Sequence, residues 1–293
     1  MEAGKGQPDG VRVTFWGVRG SIPTPDEPQA RYGGNTPCVL LSCSEETLIS
    51  LDGGMGFRWM TADLMAGKAG RGEEKLHLML AHCHWDHIQG IPFSPMMYVP
   101  GNRVIIHGRQ TFEGGLKETL LRQVNPNYCP VPNFFLLRDV GATVEFHEIT
   151  DPVFHIGPVR VTSLELPRGD RLPCSGYRFV DQGVTVAYLT DVEYPHGDPG
   201  STFAALELAR GADLLIHDAQ FLPEEVRGRM NRGHSTWRQA VELGNLAGCR
   251  RVALFHHDPG RTDEQLDALE VEAARLARGP EVFVAREGLA LDL

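Results

Sequence analysis

The sequence has no C-x-x-C pair. Its six cysteines, Cys38, Cys43, Cys83, Cys129, Cys174 and Cys249, are scattered along 293 residues. That spacing excludes a disulfide framework and a zinc ribbon. No stretch reaches the roughly 18 uncharged apolar residues that a membrane span needs. The opening, MEAGKGQPDG, lacks the charged-then-apolar pattern of a secretory signal. We therefore expect residues 1–10 to be a flexible terminus, and the protein to be soluble, without a membrane partner, in a reducing cytoplasm. Positive charge is scarce: 28 Lys and Arg stand against 38 Asp and Glu, for a net charge of −10. An acidic surface repels phosphate backbones, which disfavours broad nucleic-acid binding but leaves room for a local basic pocket. The 33 glycines and 20 prolines fall below the combined share of about 25–30% that marks low-complexity chains.

What is present is ordinary globular material, 42% hydrophobic and 23% charged. A chain of this length can bury a sizeable core. Alternating apolar residues predict strands at 11–16, 38–43 and 47–51. A short helix is expected over 57–66, then strands at 76–81 and 104–107. Residues 111–124 repeat apolar side chains at spacing four and read as a helix. Residues 125–138 read as a long loop. Strands follow at about 143–148, 159–166, 176–181 and 184–190. The last third alternates helices (202–210, 236–247, 263–277) with strands (214–217, 252–255, 282–285). That rhythm predicts α/β layers. There is no repeat, no low-complexity tract and no linker, so residues 11–293 are expected to form a single domain.

The most specific segment is His82-Cys83-His84-Trp85-Asp86-His87, directly after an apolar strand. On an extended segment His82 and His84 point the same way. Imidazoles and carboxylates together suit zinc and related divalent ions. Cys83 and Trp85 are read as packing residues. Three further apolar strands end in ligand-type residues: Asp191, His217-Asp218 and His256-His257. Ligand sites in α/β sheets gather at the carboxyl ends of strands, so four such ends on one edge would build a site. Gly233-His234-Ser235-Thr236 precedes a helix that Ser235 or Thr236 can cap. Arg227, Arg229, Arg232 and Arg238 nearby could form a phosphate-facing rim, diluted by Glu224 and Glu225.

These residues give the chain a resemblance to metallo-β-lactamase-fold hydrolases, in the branch that holds ribonuclease Z and cyclic-phosphodiester phosphodiesterases. It covers nearly the whole chain. It rests on Phe15-Trp16-Gly17-Val18-Arg19-Gly20-Ser21-Ile22-Pro23, Arg31-Tyr32-Gly33-Gly34-Asn35-Thr36, Asp52-Gly53-Gly54 and the 82–87 motif. It also rests on Thr190-Asp191, His217-Asp218-Ala219-Gln220, Gly233-His234-Ser235-Thr236 and Phe255-His256-His257-Asp258-Pro259. The resemblance implies an α/β fold, a four-layer αββα sandwich. It implies two divalent ions, zinc first with manganese or iron as alternatives. His82 and His84 would serve one ion, Asp86, His87 and His256 the other, and Asp191 would bridge. His256 is chosen over His257 because it follows its strand directly. Asp52 would support the ligand loop. One departure is plain: the family places another histidine before the Gly176-Tyr177-Arg178 strand, and residues 165–175, ELPRGDRLPCS, contain none. Leu166, Arg168 or Asp170 stands there, and Asp170, Glu165 or Cys174 could substitute. Without a substitute the first metal site would be weak.

The expected reaction is hydrolysis of a phosphodiester by a hydroxide held between two ions. Asp86 would ligate and orient the nucleophile, His234 would protonate the leaving oxygen, and Asp218 would orient His234. The acidic composition and the absence of a long basic arm favour a small cyclic diester over RNA. The rivals are an RNA-processing nuclease, a lactone or thioester hydrolase, and a metal-binding sensor without turnover. A homodimer is the default oligomer.

Overall fold

The computed structural model describes residues 10–109, 114–125, 127, 129–131, 141–169, 173–194, 197–226 and 232–293. The chain opens with β1 (Arg12–Gly17), β2 (Cys38–Ser42) and β3 (Leu48–Leu51), followed by α1 (Met55–Leu64) and β4 (Lys75–Met79). A four-residue helix, α2 (Trp85–Ile88), carries part of the histidine motif. Next come β5 (Arg103–Gly108), α3 (Leu116–Arg122), β6 (Thr143–Glu148), β7 (Val153–Ile156), β8 (Val159–Leu166), β9 (Cys174–Asp181) and β10 (Val184–Leu189). The last part runs α4 (Phe203–Ala209), β11 (Leu214–Asp218), α5 (Trp237–Ala247), β12 (Arg251–Phe255), α6 (Asp263–Leu276), β13 (Glu281–Val284) and β14 (Ala290–Asp292).

The strands form two seven-stranded mixed sheets, ordered β14-β1-β2-β3-β4-β5-β6 and β13-β12-β11-β10-β9-β8-β7. Three apolar cores separate four layers. The central one joins Phe15, Leu41 and Ile49 of the first sheet to Tyr177, Tyr188 and Phe255 of the second. Alternation along each strand sends the intervening residues outward. Leu76, Leu78 and Val104 meet α1 and α3, while Leu215, Val252 and Leu254 meet α4, α5 and α6. Each large side chain so buried contributes about 1.5–3 kcal/mol. The expected αββα sandwich is therefore observed.

Helices α5 and α6 both begin with a capping box. Thr236 and Thr262 accept from the backbone N–H groups of Gln239 and Gln265, whose side chains reach back to the caps. Gly248 closes α5 in the left-handed region, at φ 68°. The helix expected over 111–124 is confined to α3 among the described residues, and its first residues, 111–113, lie outside them. Within 125–138 the described positions carry neither helix nor strand, and 132–138 lie outside them. Strands β7 and β14 were not expected.

Strands β3 to β6 run parallel, as do β10 to β13. Parallel strands bring their carboxyl ends to one edge, and that edge carries the site.

Candidate metal centre and active site

Three site residues sit one or two positions after a strand, in the left-handed backbone region. Asp52 (φ 59°) follows β3, and His256 (φ 60°) follows β12. Asp191 (φ 53°) comes second after β10, behind Thr190. Non-glycine residues are uncommon there, and the strain turns each side chain sharply toward the interval between the sheets. Asp218 ends β11, and Asp86 and His87 lie in α2.

Four donors converge. His87 Nε2 is 3.3 Å from Asp86 Oδ2 and 3.2 Å from Asp191 Oδ2. His256 Nε2 is 3.2 Å from Asp86 Oδ2, 3.3 Å from Asp191 Oδ2 and 3.3 Å from His87 Nε2. A tetrahedral centre with metal–ligand distances of about 2.0–2.1 Å has ligand–ligand edges of about 3.3 Å. Asp86, His87 and His256 therefore have the spacing of three ligands of one divalent ion, and Asp191 Oδ2 lies at a similar separation from both histidines. The outer nitrogens are fixed: His87 Nδ1 donates to Asp52 Oδ2 at 2.8 Å, and His256 Nδ1 donates to Gln220 Oε1 at 2.9 Å. Such partners set the tautomer and aim the other nitrogen. Asp52 also accepts from Ala81 N–H at 2.8 Å and from the Tyr188 hydroxyl at 2.7 Å, so it supports the ligand loop as expected. The backbone N–H of Ser21 donates to Asp86 Oδ2 at 2.8 Å.

The electrostatics follow from crowding these charges. Burial opposes ionisation of Asp86, yet His87 and His256 hold its carboxyl well below the usual range. Burial also opposes a charged His87, but Asp86, Asp52 and Asp191 push it well above the ordinary histidine value. His82 goes the other way: burial, with His87 beside it, keeps it neutral. Both ring nitrogens of His82 are buried without a hydrogen-bond partner among the described residues. Its Nε2 lies 3.5 Å from Asp191 Oδ1. An orphaned imidazole beside a carboxylate fits a ligand role.

His84 packs edge-on against His82, ring centres 4.5 Å apart, but its Nδ1 accepts from Arg168 Nη2 at 3.4 Å. The guanidinium also lies 3.6 Å from Asp191 Oδ1. Neither described substitute ligand reaches this point. Glu165 is exposed on β8, and Cys174 is buried with its thiol on the carbonyl of Thr190 at 3.5 Å. Asp170 lies outside the described residues.

On the other side His234 Nδ1 donates to Asp218 Oδ2 at 2.8 Å, and its ring stacks on His256 with centres 5.0 Å apart. Burial opposes protonation of His234, but Asp218 outweighs it and raises the pKa. Asp218 also accepts from the backbone N–H groups of Asp191, Ser235 and Gln220. Its oxygens are thus committed to holding His234 and the loop. His84, Arg168, Arg232 and His234 line a cavity of about 430 Å³ with Ser21, Gln220 and Phe221.

Three expectations need correction. His217 is not at the site: its Nδ1 donates to the Asp218 carbonyl, and the Tyr194 hydroxyl donates to its Nε2. Strand alternation turns it to the outer face. Trp85 does not pack inside; it is 71% exposed. Arg238 does not line the cavity: it lies over the Trp237 ring, 5.6 Å from its centre, and borders a separate cleft. Arg227 and Arg229 lie outside the described residues. His257 is turned away, its Nε2 donating to Ala285 O at 2.8 Å, and burial lowers its pKa to about 3. What sequence reasoning missed is the role of Arg168, which was one of three candidates for its position, and Gln220, whose only signal was its place in the 217–220 motif.

Two sheets between helices, with a His/Asp centre on their shared edge, define a hydrolase of the metallo-β-lactamase fold. The chain belongs to the beta-lactamase superfamily, whose domain model matches residues 52–257. A ribonuclease Z of Synechococcus sp. (strain CC9311) is 24% identical over 329 residues, covering 97% of this chain and 99% of the relative. Among solved structures, the metallo-beta-lactamase fold protein YhfI from Bacillus subtilis superposes with a TM-score of 0.69. It is 20% identical and covers 97% of this chain and 100% of its own. A diphosphatase from the PhnP family gives a TM-score of 0.64 at 19% identity, over 97% and 98% of the two chains. The fold implies a divalent metal, and no helix among the described residues is long and apolar enough to cross a membrane.

Proposed function

We propose that this protein hydrolyses phosphodiesters, with a small cyclic diester as substrate. The observation that carries this reading is the His234–Asp218 pair, held beside a buried His/Asp centre and opening on a cavity lined by cationic side chains. A thioester releases a thiolate that needs no acid; a lactone also releases an alkoxide, so what favours a phosphodiester over it is the lining by Arg168 and Arg232, suited to anionic phosphoryl oxygens.

Asp86, His87 and His256, with Asp191, would hold a divalent ion, zinc by their chemistry, with His82 beside them. When bound, the ion supplies Lewis acidity and activates water at neutral pH. The rest of the chemistry belongs to the chain. Asp86 orients the attacking water. The oxygen of that water forms the new P–O bond and its released proton passes to solvent, while the bond to the leaving oxygen breaks and His234 gives its own proton to that leaving oxygen. Asp218 is a positioning residue: it keeps His234 protonated and aimed. Arg168 and Arg232 offer positive charge to the phosphoryl oxygens. The cavity suits a small ligand. The free cysteines fit a reducing cytoplasm.

The test is turnover of a chromogenic phosphodiester and of a 2′,3′-cyclic nucleotide. His234→Ala is expected to lose about 10²–10⁴-fold in rate while keeping its metal. An unchanged rate rejects the assignment. A second reading, RNA processing, is favoured by the full-length similarity to ribonuclease Z. It predicts a tight RNA complex whose affinity falls steeply with salt, whereas the net charge of −10 predicts weak binding.

A further inference from the structure

Asp191 divides its two oxygens between different neighbours. Oδ2 faces His87 Nε2 at 3.2 Å and His256 Nε2 at 3.3 Å. Oδ1 faces His82 Nε2 at 3.5 Å, Arg168 Nη2 at 3.6 Å and His234 Nδ1 at 3.8 Å. A carboxylate bridging two ions would offer one oxygen to each. Here the Oδ2 side has the spacing of a metal centre, and the Oδ1 side has a guanidinium.

A guanidinium is cationic at any working pH and carries no lone pair to give a metal. The Arg168 side chain is 1% exposed, so its charge is held in place. It also engages Nδ1 of His84, directing that nitrogen's lone pair at an N–H rather than at an open position. The site is shaped around it. Gly233 has φ +82°, and a Cβ there would lie 2.6 Å from Arg168 Nε. The loop that delivers His234 is thus glycine where it crosses the guanidinium. Among the described residues His82, His87 and Asp191 are close enough to share an ion, but that group borrows His87 from the first centre, and the guanidinium 3.6 Å from Asp191 Oδ1 opposes a second cation there.

We infer that Arg168 replaces the second metal of this centre: the chain binds one divalent ion, and the guanidinium is the second cation that receives the phosphoryl oxygens of a diester. The second half rests on the proposed function; the metal count does not. Arginine's planar fork matches two phosphate oxygens at once, as a point charge does not.

Four proteins decide it: wild type, Arg168→His, Arg168→Gln and Arg168→Lys, each loaded with excess zinc and desalted. Zinc per chain is counted by elemental analysis, and inorganic phosphate binding is measured by calorimetry at fixed ionic strength. One zinc is expected in wild type, Arg168→Gln and Arg168→Lys, and two in Arg168→His. Phosphate is expected to bind at least tenfold more weakly to Arg168→Gln, with part of the loss recovered in Arg168→Lys. Two zinc ions in wild type, or one in Arg168→His, overturn the replacement. Equal phosphate affinity in wild type and Arg168→Gln overturns the oxyanion role. Wild type with one zinc but no diesterase activity refutes the proposed function and leaves the replacement standing. Wild type with no zinc refutes both.

Discussion

Asp52 touches no substrate, yet its removal should be among the most costly single changes in this chain. Its carboxylate is fully buried and accepts three hydrogen bonds, at 2.8, 2.8 and 2.7 Å, from Ala81, His87 and Tyr188. Each of those donors is itself buried. Leaving a buried donor unsatisfied costs about 1–3 kcal/mol. A water entering the vacated space would recover part of it, so Asp52→Gly should lose about 3–5 kcal/mol of unfolding free energy. Glycine removes the Cβ together with the carboxylate and tolerates the φ of 59° at this position, so this loss is net of the backbone strain it relieves. Asp52→Ala should lose about 1 kcal/mol more, for a Cβ in the left-handed region. Asp52→Asn keeps one acceptor and should fall between wild type and Asp52→Gly. Urea unfolding in the presence of a chelator measures all three without a metal contribution. In the absence of chelator, Asp52→Asn should bind zinc about 10–100-fold more weakly, because His87 loses the partner that aims it. An Asp52→Gly protein within 1 kcal/mol of wild type in chelator would refute the reasoning: the hydrogen bonds would then be spectators rather than supports.

Two further outcomes concern pH. His77 and His107 stack in the first sheet, joined at 2.9 Å, and burial lowers their pKa values to about 4 and about 3. The unfolded chain therefore binds more protons below about pH 6.5, and stability should fall as pH drops from there toward 4. At pH 5 the loss should be about 1–2 kcal/mol per histidine, read from urea midpoints at pH 7 and 5 in wild type and in a His77→Gln/His107→Gln double variant; parallel curves would exclude the effect. In Asp218→Asn, His234 loses the charge 2.8 Å away that raises its pKa. Even at the dielectric of water that charge is worth about 1.5 kcal/mol, so the alkaline limb of the rate profile should move down by at least about one pH unit. A limb that stays put would separate His234 from the proton transfer.

The parts of the site that could be read from the chain are those written locally. The 82–87 motif and the residues ending β10, β11 and β12 are short, and each follows an apolar run. Within each sheet the ends are aligned by parallel pairing, and the packing of the two sheets across the central core brings the two sets together. His217 shows the cost of not applying strand alternation one step further: Leu214 and Ile216 face the central core, so 217 must face away and 218 inward. Arg168 could not be fixed because its identity as the occupant depends on where a loop crosses, and residue spacing leaves three candidates. Trp85 carries a strongly apolar side chain, but the one-turn helix α2 buries Asp86 and His87 instead and turns the indole out. Strands β7 and β14 are four and three residues long, too short for periodicity to register.

Strand β14 also bears on how the molecule is made. Its Ala290, Leu291 and Asp292 lie against Thr14, Val13 and Arg12, a pairing that spans 280 residues of sequence. Until that stretch has been synthesised, β1 is an edge strand with Val13 and Phe15 on it and nothing to its outer side. An open apolar edge recruits other chains. The three-residue strand thus acts as a guard, and the interval before it arrives is when a nascent chain is most exposed to mispairing with its neighbours.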